Sequence, residues 1–164
     1  MNVTSLPKHL EELKIFLQQI PFEILSLNET RLDDTIDNNT VRIPGYDIIR
    51  RDRNRRGGGV AILVKNNYSY IERNDLLTND LEAICIELTL RVSRPILILN
   101  WYRPPDSEAQ VFDWFEEFLQ KAEAENKELI ILGDLNCDLY ANTPNSNTKK
   151  LIELINVYQL KQLI

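Results

Sequence analysis

Histidine, cysteine and glycine are scarce in this chain: its 164 residues hold one, two and five of them. Two cysteines far apart, Cys85 and Cys137, supply neither a paired metal-ligand spacing nor a disulfide framework. Nothing at the N-terminus has the form of a signal peptide, and no membrane-type composition is present. These absences lead to the expectation of an intracellular protein, nuclear or cytoplasmic, not secreted and with no membrane partner. Positive charge is also short, since 19 Lys and Arg stand against 25 Asp and Glu for a net −6. That excludes a general nucleic-acid coating protein, because such binding rests on cations neutralising phosphates.

One segment departs from the acidic balance. Residues 50–56 carry five arginines and one aspartate, a local charge of +4. A focused phosphate contact and a solvated hairpin tip both account for it. What the chain has in quantity is apolar content, 43% hydrophobic beside 27% charged, the balance of a globular domain. A single domain over residues 1–164 is expected, hiding roughly 70% of the surface its unfolded form exposes, so no staples are needed.

The pattern centres on residues 128–138, ELIILGDLNCD. Four consecutive aliphatics, 129–132, end at Gly133 and are followed by Asp134 and Asn136. Such a run suits a strand covered on both faces, and ligands in layered α/β proteins sit at the carboxyl ends of such strands. An ordinary Asx-turn would use the same residues. The theme occurs twice, because FEILSL at 22–27 ends in Asn28, Glu29 and Thr30.

Around these stretches the elements read in order. Asn2 and Val3 look like the tail of a strand. A helix follows with Ser5 as its cap, Pro7 in its first turn, and Leu10, Leu13, Leu17 and Ile20 along one face. Strands at 45–50 and 59–65 form a hairpin with the arginines at its tip. Gly57, Gly58 and Gly59 open a strand rather than a helix, and no Gly-Lys-Ser/Thr follows, so a phosphate loop is excluded. The alternation in 81–90 predicts a strand covered on both faces, and 95–102 another, stopped by Pro104 and Pro105. Ser107 and Gln110 form a capping box for a helix that buries Val111, Trp114, Phe115, Phe118, Leu119 and Ala122. A last helix runs from about Thr148 toward Leu160. Strands and helices in this arrangement indicate two sheets with helices outside.

The words NVTSL at 2–6, LSLNET at 25–30, GYDIIRRDRNRRGGGVAILV at 45–64, LEAICIEL at 81–88, NWYRPP at 100–105 and ILGDLNCD at 131–138 stand in one order across nearly the whole chain. In that order they resemble the endonuclease/exonuclease/phosphatase superfamily, and more narrowly the apurinic-type endonuclease domain of non-LTR (LINE-type) retrotransposons. The resemblance implies an α/β four-layer sandwich of DNase-I-like fold, incomplete at the C-terminus and at the first strand. It implies metal-dependent DNA phosphodiester hydrolysis, as target-site nicking for retrotransposition, with DNA as partner and a reverse transcriptase domain in a longer parent. Glu29 would hold Mg²⁺ (or Mn²⁺) with Asn2 close by, and Tyr102 would hydrogen-bond the scissile phosphate. Asp134 would orient or deprotonate water, Asn136 would steady the phosphate, and Arg53, Arg55 and Arg56 would touch flanking DNA.

The family's closing Asp and Ser-Asp-His have no match, and the one histidine, His9, stands on the first helix. A non-catalytic remnant is therefore the second reading, and a phosphatase of the same fold the third. The same departure predicts an uncovered sheet edge and a marginally stable chain, with Val157, Tyr158, Leu160 and Ile164 as apolar residues near its end.

Overall fold

The structure, a computed structural model, describes residues 1–78 and 80–163, so Ile164 lies outside the described residues. Two sheets stack face to face. The first has the order β1-β3-β2, all antiparallel, from β1 (Ile24–Asn28), β2 (Tyr46–Arg51) and β3 (Val60–Lys65). The second has the order β4-β5-β6-β7, from β4 (Ser69–Glu72), β5 (Ala83–Thr89), β6 (Ile96–Tyr102) and β7 (Glu128–Asp134), with only β6 and β7 parallel. A parallel pair needs a long crossover, and α2 (Val111–Ala124) provides it.

Three apolar layers follow from the alternation along each strand. Leu6, Leu13 and Leu17 of α1 (Leu6–Gln19) pack on Leu27, Ala61 and Leu63. Between the sheets lie Val60, Ile62, Val64, Ile84, Ile86 and Ile98. Phe115, Phe118 and Leu119 of α2, with Leu151 and Leu154 of α3 (Ser146–Val157), cover Cys85, Leu97, Leu99 and Trp101. The result is the four-layer DNase-I-like α/β sandwich, with β5 buried on both faces as its alternation requires. Trp114 sits at the margin of the outer layer. Cys85 and Cys137 are free thiols.

The aliphatic run 129–132 packs on both faces, Leu129 and Ile131 on the outer layer and Ile130 and Leu132 between the sheets, and stays half-buried because β7 ends its sheet. Several other expectations need correction. The Ser107–Gln110 capping box does not form, since the Ser107 hydroxyl donates to the Pro104 carbonyl (2.7 Å) and Gln110 makes no side-chain cap. Ser5 holds the N-cap position of α1 without capping it. Its N–H and that of Leu6 donate instead to the carbonyls of Glu29 and Thr30 (2.9 and 2.8 Å), which ties the start of α1 to the end of β1. The Asn2 segment is a single parallel bridge to Asn28 rather than a strand. β4 went unanticipated, because SYIE is short and mostly exposed.

Two buried contacts fix how the layers meet. Gly133 has φ 139°, and a Cβ there would lie 1.9 Å from the Trp101 carbonyl oxygen, so only glycine lets β7 lie against β6 at this point. Asn100, fully buried, donates from its amide to the carbonyls of Leu27 (3.0 Å) and Ala61 (2.9 Å) on the opposite sheet and accepts from Asn28 (3.2 Å). A third tie is electrostatic. Arg73 pairs with Asp75, Glu87 and Glu125 at 2.7–2.8 Å, and Lys127 pairs with Glu87 and Glu125 at 2.9 and 2.7 Å, joining the segment before β5 to the α2–β7 connection.

Replacing Gly133 by alanine is expected to cost about 4 kcal/mol or more, the range reached only by severe steric conflict; a urea midpoint equal to wild type would refute the packing argument. Asn100→Leu keeps the volume but strands buried polar partners, and equilibrium unfolding should show a loss of about 2 to 4 kcal/mol. The Arg73 cluster makes stability pH-dependent. Lys127 holds the Glu87 carboxyl below its usual range, and Arg73 with Lys127 brings Glu125 down to about 2. Depressed carboxyls contribute stability that is full above the ordinary value of 4.5 and lost as pH falls from there toward about 2. Glu125→Gln should flatten that fall in a series of urea midpoints, and an unaltered slope would count against the cluster's role.

Candidate functional site

The carboxyl ends of β1, β6 and β7 reach the same end of the sandwich, as does the tip of the β2–β3 hairpin. Glu29 follows β1 with φ 56°, a left-handed turn that swings its side chain out of the strand line. Its Oε1 accepts from the Asn2 amide (3.0 Å) and the Tyr102 hydroxyl (3.2 Å), and its Oε2 from Arg31 (3.1 Å). The Asn2 amide also reaches Asp134 Oδ2 at 3.5 Å. Four side chains from separated segments, Asn2, Glu29, Tyr102 and Asp134, thus form one hydrogen-bonded group.

Their surroundings set their charge states. The Asn2 amide, aided by Arg31 and Tyr102 against the opposing effect of burial, holds the Glu29 carboxyl below its usual range. Burial first, and the Glu29 carboxylate second, push the Tyr102 phenol up to about 12, so it is a donor at neutral pH. Asp134 Oδ1 accepts from the Asn136 N–H (3.2 Å), which fixes one carboxylate oxygen and leaves the other toward Asn2.

Asn136 belongs to the same turn, with φ 48°, but its side-chain amide donates to the Arg103 carbonyl (2.8 Å) rather than joining the Asn2–Glu29 group. The three arginines of the hairpin tip separate. Arg53 lies beside the site, its guanidinium carbon 6.0 Å from the centre of the Tyr102 ring. Arg55 reaches Asp33 at 4.0 Å, and Arg56 is exposed.

Sequence reasoning missed two residues that shape this end of the molecule. Glu82 accepts from Arg53 at 3.0 Å through one oxygen and from the Gly59 N–H through the other, and burial raises its carboxyl pKa. It thereby holds the hairpin tip beside Tyr102. The only signal was an acidic residue on the inter-sheet side at the start of an alternating strand. Arg103 is the second, and its neighbour Tyr102 drew the attention in the word YRPP. His9 pairs with Glu12 one turn along α1 at 2.9 Å and is not part of the Asn2–Glu29–Tyr102–Asp134 group.

A search of curated proteins finds no match. Among solved structures, the chain is similar to the endonuclease domain of TRAS1, a telomere-specific non-LTR retrotransposon, at 18% identity, covering 96% of this chain and 68% of that one with a TM-score of 0.71. It is similar to the AP endonuclease LMAP from Leishmania major at 17% identity, 94% and 64% coverage and a TM-score of 0.73. The 3′ phosphatase NExo from Neisseria, bound to a product DNA hairpin, matches at 18% identity, 95% and 68% coverage and a TM-score of 0.65. The chain therefore spans about two thirds of the length of these structures, and at such identities the likeness is one of fold. The model of the Endonuclease/Exonuclease/phosphatase family matches residues 1–150, and on that match, over a sandwich whose strand ends gather Asn2, Glu29, Tyr102 and Asp134, the chain belongs to the endonuclease/exonuclease/phosphatase family.

Proposed function

We propose that this chain is the larger part of a metal-dependent DNA endonuclease domain that nicks a phosphodiester, of the kind carried by non-LTR retrotransposons. The observation that carries the reading is the hydrogen-bonded group of Asn2, Glu29, Tyr102 and Asp134 at one end of the sandwich. The carboxylates of Glu29 and Asp134 are hard donors, and Mg²⁺ or Mn²⁺ takes one or two carboxylates while keeping waters and phosphate oxygens; the Asn2 side chain meets them through its amide N–H, its oxygen accepting from Thr4. Among the described residues no group of three or more His, Cys, Asp or Glu could hold a metal ion. Glu29, with Asn2 beside it, is the holder. A cation held there would supply positive charge against the charge developing on the phosphate.

The remaining steps belong to the chain's own side chains. Tyr102 turns its single hydroxyl hydrogen bond from Glu29 to a phosphate oxygen, a donor role its raised pKa preserves at neutral pH. Asp134, with Oδ1 fixed by the Asn136 N–H, turns Oδ2 to a water and accepts its proton as it attacks. Asn136 has a second amide N–H beyond the one given to Arg103, available to the phosphate as charge builds. Arg53, positioned by Glu82, meets a flanking phosphate, while Arg55 and Arg56 serve from the outer tip. A longer parent with a reverse transcriptase domain, working inside the cell in nucleus or cytoplasm, completes the proposal.

One observation favours a second reading, a site that binds metal and DNA without turnover: the chain's single histidine pairs with Glu12 on α1. Incubation with supercoiled DNA and Mg²⁺ separates the two. Nicking that EDTA abolishes, and that Glu29→Gln and Asp134→Asn each lower by about 10² or more, is the expected result. DNA binding without nicking establishes the second reading, and phosphate release from a 3′-phosphorylated strand without nicking points to a phosphatase.

A further inference from the structure

Arg103 is the one charged residue fully buried among the described residues, 2% exposed, and it has no carboxylate partner there. Burying an ion is costly unless its donors are satisfied, so such a placement needs a reason. The guanidinium donates from Nε to the Leu135 carbonyl (2.6 Å), from Nη2 to the Asn136 carbonyl (3.0 Å) and from Nη1 to the Ser107 hydroxyl (2.8 Å), with the Phe112 ring centre 5.6 Å away. Its backbone joins the same turn from the other side. The Arg103 N–H donates to the Asp134 carbonyl (2.9 Å), and the Arg103 carbonyl accepts from the Asn136 side-chain amide (2.8 Å).

One residue therefore grips three consecutive residues, 134, 135 and 136, at four points. The turn needs such a grip because Asn136 has a left-handed backbone, φ 48°, that L-residues adopt at a cost. A planar fork spans two adjacent carbonyls and a hydroxyl at once, whereas a lysine ammonium on a flexible stem cannot match that geometry. Ser107 is fixed in turn, donating to the Pro104 carbonyl while it accepts from Arg103, so the YRPP segment forms a closed hydrogen-bonded loop under the turn.

We infer that Arg103 is the positioning residue of the site: it holds the 134–136 turn in the shape that aims Asp134 and Asn136, through a guanidinium clamp on two backbone carbonyls. Its catalytic consequence rests on the hydrolase reading above, while the clamp itself does not. Arg103→Lys keeps the charge and removes the fork, and Ser107→Ala removes one acceptor from behind the turn.

Two readouts apply to both variants. Amide hydrogen exchange at residues 135–137, with the NMR signals of the Asn136 side-chain amide, reports the turn; steady-state nicking with Mg²⁺ reports the chemistry. In Arg103→Lys, exchange is expected to rise about tenfold or more, the Asn136 amide signals to move to free-amide positions, and kcat to fall about 10²-fold with little change in KM. Ser107→Ala should shift every readout in the same direction by less, and it decides the matter if Arg103→Lys does not fold. Unchanged exchange in the folded variants overturns the inference, as does a raised KM with unaltered kcat, which would make Arg103 a DNA-binding residue instead. Should the wild-type chain fail to nick DNA, the hydrolase reading falls, and the exchange comparison alone still decides whether the clamp exists.

Discussion

The position of the site depends first on one buried amide. Asn100 crosses from the second sheet to the carbonyls of Leu27 and Ala61 on the first and meets Asn28 on the way. Asn28 immediately precedes Glu29, and Asn100 lies two residues before Tyr102 on the same face of β6, so this contact sets the separation of Glu29 and Tyr102. Apolar packing between sheets is non-directional and would tolerate a slip along the strands. A fully buried hydrogen-bonded amide would not, since any slip leaves its partners unpaired in a dry interior.

Strand ends were legible in the sequence because they combine two strong signals, an aliphatic run and an abrupt polar stop. That suffices to bring Glu29 and Asp134 to notice, and the glycine-rich hairpin and the doubly covered β5 were read in the same way. The partners of those residues were not legible. Arg103, Glu82 and Asn100 act on groups tens of residues away, and nothing local distinguishes an arginine that clamps carbonyls from one in solvent. The failed capping box shows the same limit, for Ser107 has the right spacing to Gln110 but its hydroxyl is taken by Arg103 and Pro104. The continuous apolar run of β7 told correctly that both its faces pack, but a run of this kind says nothing of whether both edges are paired, and one edge of β7 is not.

The basic segment illustrates how a charge count overstates a potential. Arg50 donates to the Ile36 carbonyl and pairs with Asp52, Arg51 reaches the Ala83 carbonyl, and Arg53 is paired with Glu82. Much of the local +4 thus serves to fold the hairpin against its neighbours. Arg53 keeps a position beside Tyr102, where its charge is partly exposed and partly offset by Glu82, a poise suited to steering an anion into one place rather than coating DNA.

The hydrogen bond between Asn2 and Asp134 joins residues 132 positions apart. Such a contact is entropically late in folding, because most of the chain must already be ordered before its two ends meet at little further cost. During synthesis the β1 end of the site waits, with Glu29 in place, until β7 leaves the ribosome. The geometry of the site is in that sense a report on the far reach of the chain: the neighbourhood of Glu29 is complete only when Asp134, at the end of β7, has been brought to Asn2.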